Sequence, residues 1–348
     1  MIEAAVVSIE TEIQRIFAAS RLRATDYGEH YVALWDAIER ASAGGKRLRP
    51  ALVLAAYSGF GGREPAMAVP LAASFELLHT AFVIHDDLID NDLTRRGVPN
   101  VAGSFAARAE RRGASAAQAG AWAKTGAILA GDLALSTAHR TVATLPVDPE
   151  TRLRLFDLLE RSVFISAAGE LADVTNTLDQ ASLDVTAVLA TLENKTAVYS
   201  FEAPLQAGAV LAGGPTDALD VLGRYGRLIG VAFQLVDDSL GVFGDPDTTG
   251  KSTLADLREG KQTAIIAHAR TTDAWPRISP YIGKADLDQS EADLVRAHLR
   301  ACGAAQAAED LAWRYADLAI DALRSPAIPG DLRDGLVELA ERAVQRCH

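Results

Sequence analysis

Apolar positions recur along this chain at the spacing of helix faces. In "YVALWDAIERA", Val32, Trp35, Ile38 and Ala41 fall along one face. "RLRLFDLLERSVFISAAGELADV" is apolar on most sides for several turns, the pattern of a helix buried in a bundle. "RDGLVELAERAVQR" keeps a charged outer face. The breaks are short: "GFGGREP" at 59, "RRGAS" at 111, "LPVDP" at 145, "AGGP" at 212, "TTDAWPRISP" at 271 and "SPAIPG" at 325. No apolar/polar alternation bounded by hairpin turns interrupts them. No linker, composition shift or short repeat marks a boundary. The pattern predicts an all-α fold of about ten or more helices in a single domain over residues 1–348.

Composition leans the same way. Hydrophobic residues make up 49% of the 348 and aromatics only 6%, with alanine, the best helix former, frequent throughout. A net charge of −12 argues against a nucleic-acid partner, because phosphate contacts need a basic face. Cys302 and Cys347 are too few for a disulfide framework or a metal knot and suit free thiols in a reducing cytoplasm. The start, "MIEAAVVSIETEIQRIF", carries acids where a secretory signal carries bases. The uncharged stretch at 203–216 is shorter than the ~20 residues a membrane span needs. These features predict a cytoplasmic chain without a transmembrane segment.

Charge is concentrated in a few places. "HDDLIDNDLTRRG", residues 85–97, packs four aspartates ahead of Arg95 and Arg96. On a helix turning ~100° per residue, Asp86 and Asp90 lie one turn apart with Asp87 beside them, so three carboxylates share a face. Asp92 falls elsewhere, as a cap or a solvated charge. The preceding residues Leu77, Leu78, Ala81, Phe82, Val83 and Ile84 form a greasy wall. Carboxylates at such a mouth need counter-charge, and a hard divalent cation supplies it: Mg²⁺ takes one or two carboxylates, keeps waters and binds substrate phosphates. Taken alone, the run reads more readily as a solvated acidic turn paired with Arg95 and Arg96.

Other clusters change that balance. Asp237 and Asp238 follow a second apolar helical run, with Gln234 one turn earlier. Glu170 and Asp173 stand three apart in "GELADV". Bases gather separately at Lys46, Arg47 and Arg49 in "GGKRLRP", at Lys195 beside Thr196, and at Lys251 and Lys261 around Asp256. Lysine suits phosphate as a point charge and arginine as a bidentate fork, so two basic sets imply two diphosphate sites. Each piece has a bland counterpart. His79 alone reads as a satisfied core histidine, Lys195 as solvated, Glu170 and Asp173 as an exposed pair, and Lys46, Arg47 and Arg49 as a surface cluster at a helix start.

In order, "GGKRLRP", "ELLHTAFVIHDDLIDNDLTRRG", "GELADV", "NKTAVYSF", "FQLVDDSLGVFGDPDTTGK" and "DLREGK" resemble the trans-isoprenyl (polyprenyl) diphosphate synthase family over nearly the whole chain. The local wording around Asp86 is most like bacterial geranylgeranyl diphosphate synthases. The resemblance implies a helical bundle around a central apolar cavity and condensation of isopentenyl diphosphate with an allylic diphosphate. It assigns Asp86, Asp90 and Asp237 to Mg²⁺, with Asp87, Asp173, Asp238 and Asp256 supporting. It gives isopentenyl diphosphate to Lys46, Arg49, His79 and Arg96, and the allylic diphosphate to Arg95, Lys195, Lys251 and Lys261. Thr196 and Gln234 would line the reacting carbons. It further implies three Mg²⁺ ions with diphosphate bound, Mn²⁺ as a substitute, and a homodimer. Gly241 departs from the pattern, because many relatives carry a third aspartate there; the second metal cluster then rests on Asp237 and Asp256. Ala81 and Phe82 are the chain-length candidates, and small Ala81 favours a C20 product over C15. A terpene cyclase on the same fold, or a non-catalytic partner subunit, remain the competing readings.

Overall fold

A single apolar helix organises the first part of the chain. Around it stand α1 (Ile2–Ala24), α2 (Glu29–Ser42) and α3 (Leu48–Gly59), and the organising helix itself is α4 (Pro65–Ile89). The structure is a computed structural model and describes residues 2–178, 184–244 and 254–345. It separates into two units: residues 1–159 with 207–214, and residues 160–206 with 215–348.

In the first unit α4 packs on α1, α2, α3 and α6 (Ala116–Ala143), while α5 (Val101–Glu110) packs on α6. Leu71, Phe75, Leu77, Leu78 and Ile84 of α4 are buried in the core. The α6 face turned inward is nearly all alanine: Ala119, Ala123, Ala127, Ala130, Ala134 and Ala138. Their three- and four-residue spacing makes one smooth ridge, which lets helices approach closely. Local chemistry sets the boundaries. Ser115 and Gln118 form a capping box at the start of α6, and Asn100 caps α5 through the Gly103 N–H. Among the described residues α4 is long and apolar enough to cross a membrane by length and composition, yet 67% of its apolar window is buried inside the fold. One acid, buried Glu76, interrupts that run, so scanning for uncharged stretches misses it. It is a core helix.

α7 (Pro149–Leu178) and α9 (Ala203–Leu211) contribute residues to both units. In the second unit α8 (Val185–Leu192) leads into a ten-residue π-helix, Glu193–Glu202. The unit's central element is α10 (Thr216–Phe243), packed against the π-helix, α8, α11 (Ala255–Glu259), α15 (Ala304–Ala322) and α16 (Gly330–Gln345). α15 repeats the alanine device with Ala304, Ala308, Ala312, Ala316 and Ala319 buried. Tyr225 is fully enclosed and donates its hydroxyl to the Leu336 carbonyl at 2.7 Å; burial pushes its phenol well up. Val242, Leu257, Ile265, Ile266, Val295 and Leu299 form a further core cluster, built with α12 (Ala264–Arg270), α13 (Trp275–Ile278) and α14 (Gln289–Ala301).

The all-α expectation holds with one small exception. β1 (Thr94–Arg95) and β2 (Val98–Pro99) pair antiparallel across a two-residue turn, Arg96–Gly97, with φ of +52° and +74°. Positive φ at both turn residues matches the twist of a tight hairpin. Strands of two residues are too short for alternation to register in a sequence.

Candidate active site

The acidic cluster of the first unit lies where α4 ends. Asp86 and Asp87 occupy its last turn and Asp90 is the residue just past it. The expected shared face divides in the folded chain. Asp87 turns inward and is buried, Asp86 is half-buried, and Asp90 is exposed. Asp92 lies exposed beyond the helix, its N–H donating to the Asp87 carbonyl at 2.8 Å. Arg95 reaches back from β1: its Nε donates to Asp87 Oδ1 at 2.7 Å, and its Nη2 lies 2.6 Å from Asp87 Oδ1 and 3.4 Å from Asp86 Oδ2. Burial raises the Asp87 carboxyl above its usual range, and the Arg95 guanidinium opposes that.

Arg96, the next residue, goes elsewhere. Its Nη1 donates to the Ala43 carbonyl at 3.2 Å, and a Cβ on Gly44 would meet that nitrogen at 3.0 Å. The guanidinium therefore rests on the Gly44–Gly45 backbone, directly before Lys46. Arg95 ends β1 while Arg96 opens the turn in the left-handed region, at φ +52°, so the hairpin sends one arginine to the acidic helix end and the other to the glycine loop. In that loop Lys46 is exposed, Arg49 half-buried and Arg47 fully inside. The burial of Arg47 overturns the reading of all three as a surface cluster. His79 sits two turns before Asp86, and its imidazole is held well below the ordinary 6.5 by burial first, then by Arg49, Arg95, Arg96 and Arg47. It is a neutral imidazole among guanidiniums. Ala81 has no accessible surface, whereas Phe82 and Val83 are partly accessible. His85 fills the space a side chain at Gly131 would take, and its Nε2 stands 3.6 Å from Asp132.

The second unit holds the other cluster. Lys195, in the π-helix, is 2.8 Å from Asp173 and 3.0 Å from Glu170 of α7, so those two acids are not an idle exposed pair. Wide π-turns inside helices are frequent at functional sites, and this one carries both Lys195 and half-buried Thr196. A Cβ on Gly169 would meet the Lys195 backbone nitrogen at 2.2 Å; only glycine lets α7 approach so closely. On α10, Asp238 is 2% exposed; its Oδ1 accepts from Gln234 Nε2 and from Lys261 Nζ, both at 3.0 Å. Gln234 thus braces Asp238. Asp238 first, then Asp256 and Asp173, hold the Lys261 ammonium well above its ordinary value. Asp237 is half-buried. A Cβ on Gly241 would lie 2.0 Å from Asp256 Oδ2. The place of the missing third aspartate is therefore filled by Asp256, which no sequence spacing announces. Lys251 lies outside the described residues.

Among the described residues no three His, Cys, Asp or Glu side chains form a ready cage for a metal ion. The donors nevertheless fit Mg²⁺, which takes few protein ligands and completes its shell with water and substrate phosphate. Asp86 and Asp90 present oxygens at a partly open helix end, Asp238 Oδ2 is buried without a hydrogen-bond partner, and Asp256 fills the Gly241 cradle.

Comparison with known proteins agrees with this chemistry. The family model described as polyprenyl synthetase matches residues 33–297. A geranylfarnesyl diphosphate synthase of Aeropyrum pernix is 36% identical, over 87% of this chain and 91% of that protein. A geranylgeranyl diphosphate synthase of Saccharolobus solfataricus is 32% identical, over 88% of this chain and 87% of its own. Among solved structures, geranylgeranyl pyrophosphate synthase from Corynebacterium glutamicum, complexed with isoprenyl diphosphate and magnesium, superposes with a TM-score of 0.90 at 30% identity, over 98% of each chain.

The low His79 value sets the sign of a pH effect. The unfolded chain takes up a proton near 6.5 and the folded chain does not, so stability rises with pH through the window below 6.5 and falls on acidification. His79→Asn should narrow the gap between the melting temperatures at pH 7.5 and pH 5.5 by roughly 2 °C. Differential scanning calorimetry at the two pH values checks it; an unchanged gap contradicts the neutral imidazole.

Proposed function

The chain belongs to the polyprenyl synthetase family, and on that premise we propose that it condenses isopentenyl diphosphate head-to-tail with an allylic diphosphate to give a C20 trans-prenyl diphosphate. It is a prenyltransferase. The observation that carries the reading is the divergence of Arg95 and Arg96. A chemistry with one diphosphate needs one basic set; two neighbouring arginines committed to different clusters suit two diphosphates. That favours condensation over cyclisation.

In this reading Lys46, Arg49 and Arg96 hold the diphosphate of isopentenyl diphosphate, and neutral His79 donates an N–H to it without adding repulsion among the arginines. Arg95, Lys195 and Lys261, with Lys251, serve the allylic diphosphate. The carboxylate partners of Arg95, Lys195 and Lys261 already hold those three side chains in place, so little reorganisation accompanies phosphate binding. Asp86, Asp90 and Asp237 would hold Mg²⁺, as three ions with Mn²⁺ able to substitute, which would supply positive charge against the charge that develops on the departing diphosphate. Thr196 and Gln234 line the reacting carbons. The allylic cation is attacked by the isopentenyl double bond, and the proton lost passes to the diphosphate. No side-chain nucleophile takes part.

The family match runs through both units, which supports one synthase domain over residues 1–348. Phe164, Leu171 and Leu178 stand exposed at seven-residue spacing on α7, an apolar stripe suited to a second copy of the chain and hence to a homodimer. The acidic composition and scarce cysteines suit a cytoplasmic enzyme.

Incubation with Mg²⁺, isopentenyl diphosphate and each of the C5, C10 and C15 allylic primers should give C20 by mass spectrometry. A hydrocarbon from geranylgeranyl diphosphate alone would instead mean a cyclase. Ala81→Phe should shift the product to C15; an unchanged length removes Ala81 from the floor of the cavity. Arg95→Ala should raise the allylic KM and lower kcat by about 10²-fold. Arg96→Ala should raise mainly the isopentenyl KM. Identical defects would defeat the two-site assignment. Phe164→Glu with Leu171→Glu should convert a dimer into a monomer by analytical ultracentrifugation.

A further inference from the structure

The loop that carries Lys46 is held in a conformation its own residues do not favour. Gly44, Gly45 and Arg47 have φ of +77°, +89° and +50°, three left-handed positions within four residues. Two are glycines, for which that region is free; Arg47 is not. A tie to the surrounding helices has to hold it there.

The Arg47 side chain does so. Its guanidinium is only 3% exposed, although both neighbours in the "GGKRLRP" run are more open. Nε donates to Glu10 Oε1 of α1 at 2.5 Å. Nη1 donates to Glu76 Oε1 of α4 at 2.6 Å and to the Ser42 carbonyl, the last residue of α2, at 2.8 Å. Its own carbonyl accepts from Ala51 N at 3.0 Å and so opens α3. One residue therefore ties together the four helices that surround the loop. Glu76 is itself buried, with Oε2 lacking a hydrogen-bond partner, so Arg47 is what makes its charge tolerable. Glu76 also lies one turn before His79 on α4. Because Arg47 points inward, Lys46 is left exposed beside it and Arg49 follows half-open in the first turn of α3.

We propose that Arg47 is a positioning residue: clamped by Glu10, Glu76 and the end of α2, it fixes the Gly44–Arg49 loop so that Lys46 and Arg49 meet the diphosphate of isopentenyl diphosphate without touching it itself. This rests on the assignment of that loop to isopentenyl diphosphate. A clamp of this kind acts on one substrate. It costs affinity for isopentenyl diphosphate when broken and leaves the allylic diphosphate, held by other residues, unaffected.

The test separates positioning from folding. Arg47→Met alone leaves Glu76 buried and uncompensated. The double variant Arg47→Met/Glu76→Leu removes both charges, and replacing a buried ion pair by apolar residues of similar size is often neutral for stability. Its melting temperature should stay near wild type, while the isopentenyl KM rises about tenfold or more and the allylic KM changes less than twofold. Calorimetric titration with isopentenyl diphosphate should show the same weakening. Arg47→Lys, which keeps the charge but not the fork, should fall between. Glu10→Gln, on the more exposed side of the clamp, retains the fold and should raise the isopentenyl KM by about two- to fivefold. Wild-type isopentenyl KM and binding in either folded variant, or an equal rise in both KM values, overturns the proposal. Wild-type protein that binds isopentenyl diphosphate but forms no prenyl product overturns the functional reading instead and leaves the binding comparison intact.

Discussion

Negative charge placed at or inside apolar helices has to be compensated within the fold, and both candidate clusters are built on that requirement. A buried carboxylate without a partner either costs several kcal/mol or takes up a proton. Three buried acids meet the requirement in the same way. Asp87 receives Arg95, Asp238 receives Lys261 and Gln234, and Glu76 receives Arg47. In each case the charged partner arrives from a segment distant in sequence or from beyond a helix end. The pairing therefore also fixes where that segment lies.

This has a consequence for ligand binding. A lysine or arginine free in water gives up side-chain entropy and hydration when it meets a phosphate. Lys195, held by Asp173 and Glu170, and Arg95, held by Asp87, have given up part of both on folding. The carboxylates that hold them are also hard oxygen donors, suited to the cations that accompany diphosphate. Acid and base thus prepare each other, and the net negative charge of −12 is compatible with anionic substrates because the local arrangement, not the total, decides what binds.

Small residues do the complementary work. Alanine faces on α6 and α15 bring helices together, and single glycines admit one group apiece: His85 at Gly131, the Lys195 backbone at Gly169, the Asp256 carboxylate at Gly241. Gly241 shows how a departure from a motif is absorbed. The helix gives up a side chain, and the acid enters the same space from α11.

The helical class, the segments that carry the acidic and basic motifs, and the family likeness were legible in the chain itself, because helical periodicity and motif order are local properties. The split between Arg95 and Arg96 was inferred from motif order, and its geometry, one arginine at a strand end and the next in a left-handed turn, could not be seen there. Four features were decided only in three dimensions. Arg47 turns inward among surface-looking bases, Asp87 leaves the face of Asp86 and Asp90, Lys195 sits in a π-helix, and Asp256 occupies the place of a residue fifteen positions earlier. The physical reason is common to them. Spacing along one helix says which side chains share a side, but whether that side meets a cation, an empty cradle or water depends on segments that only folding brings near.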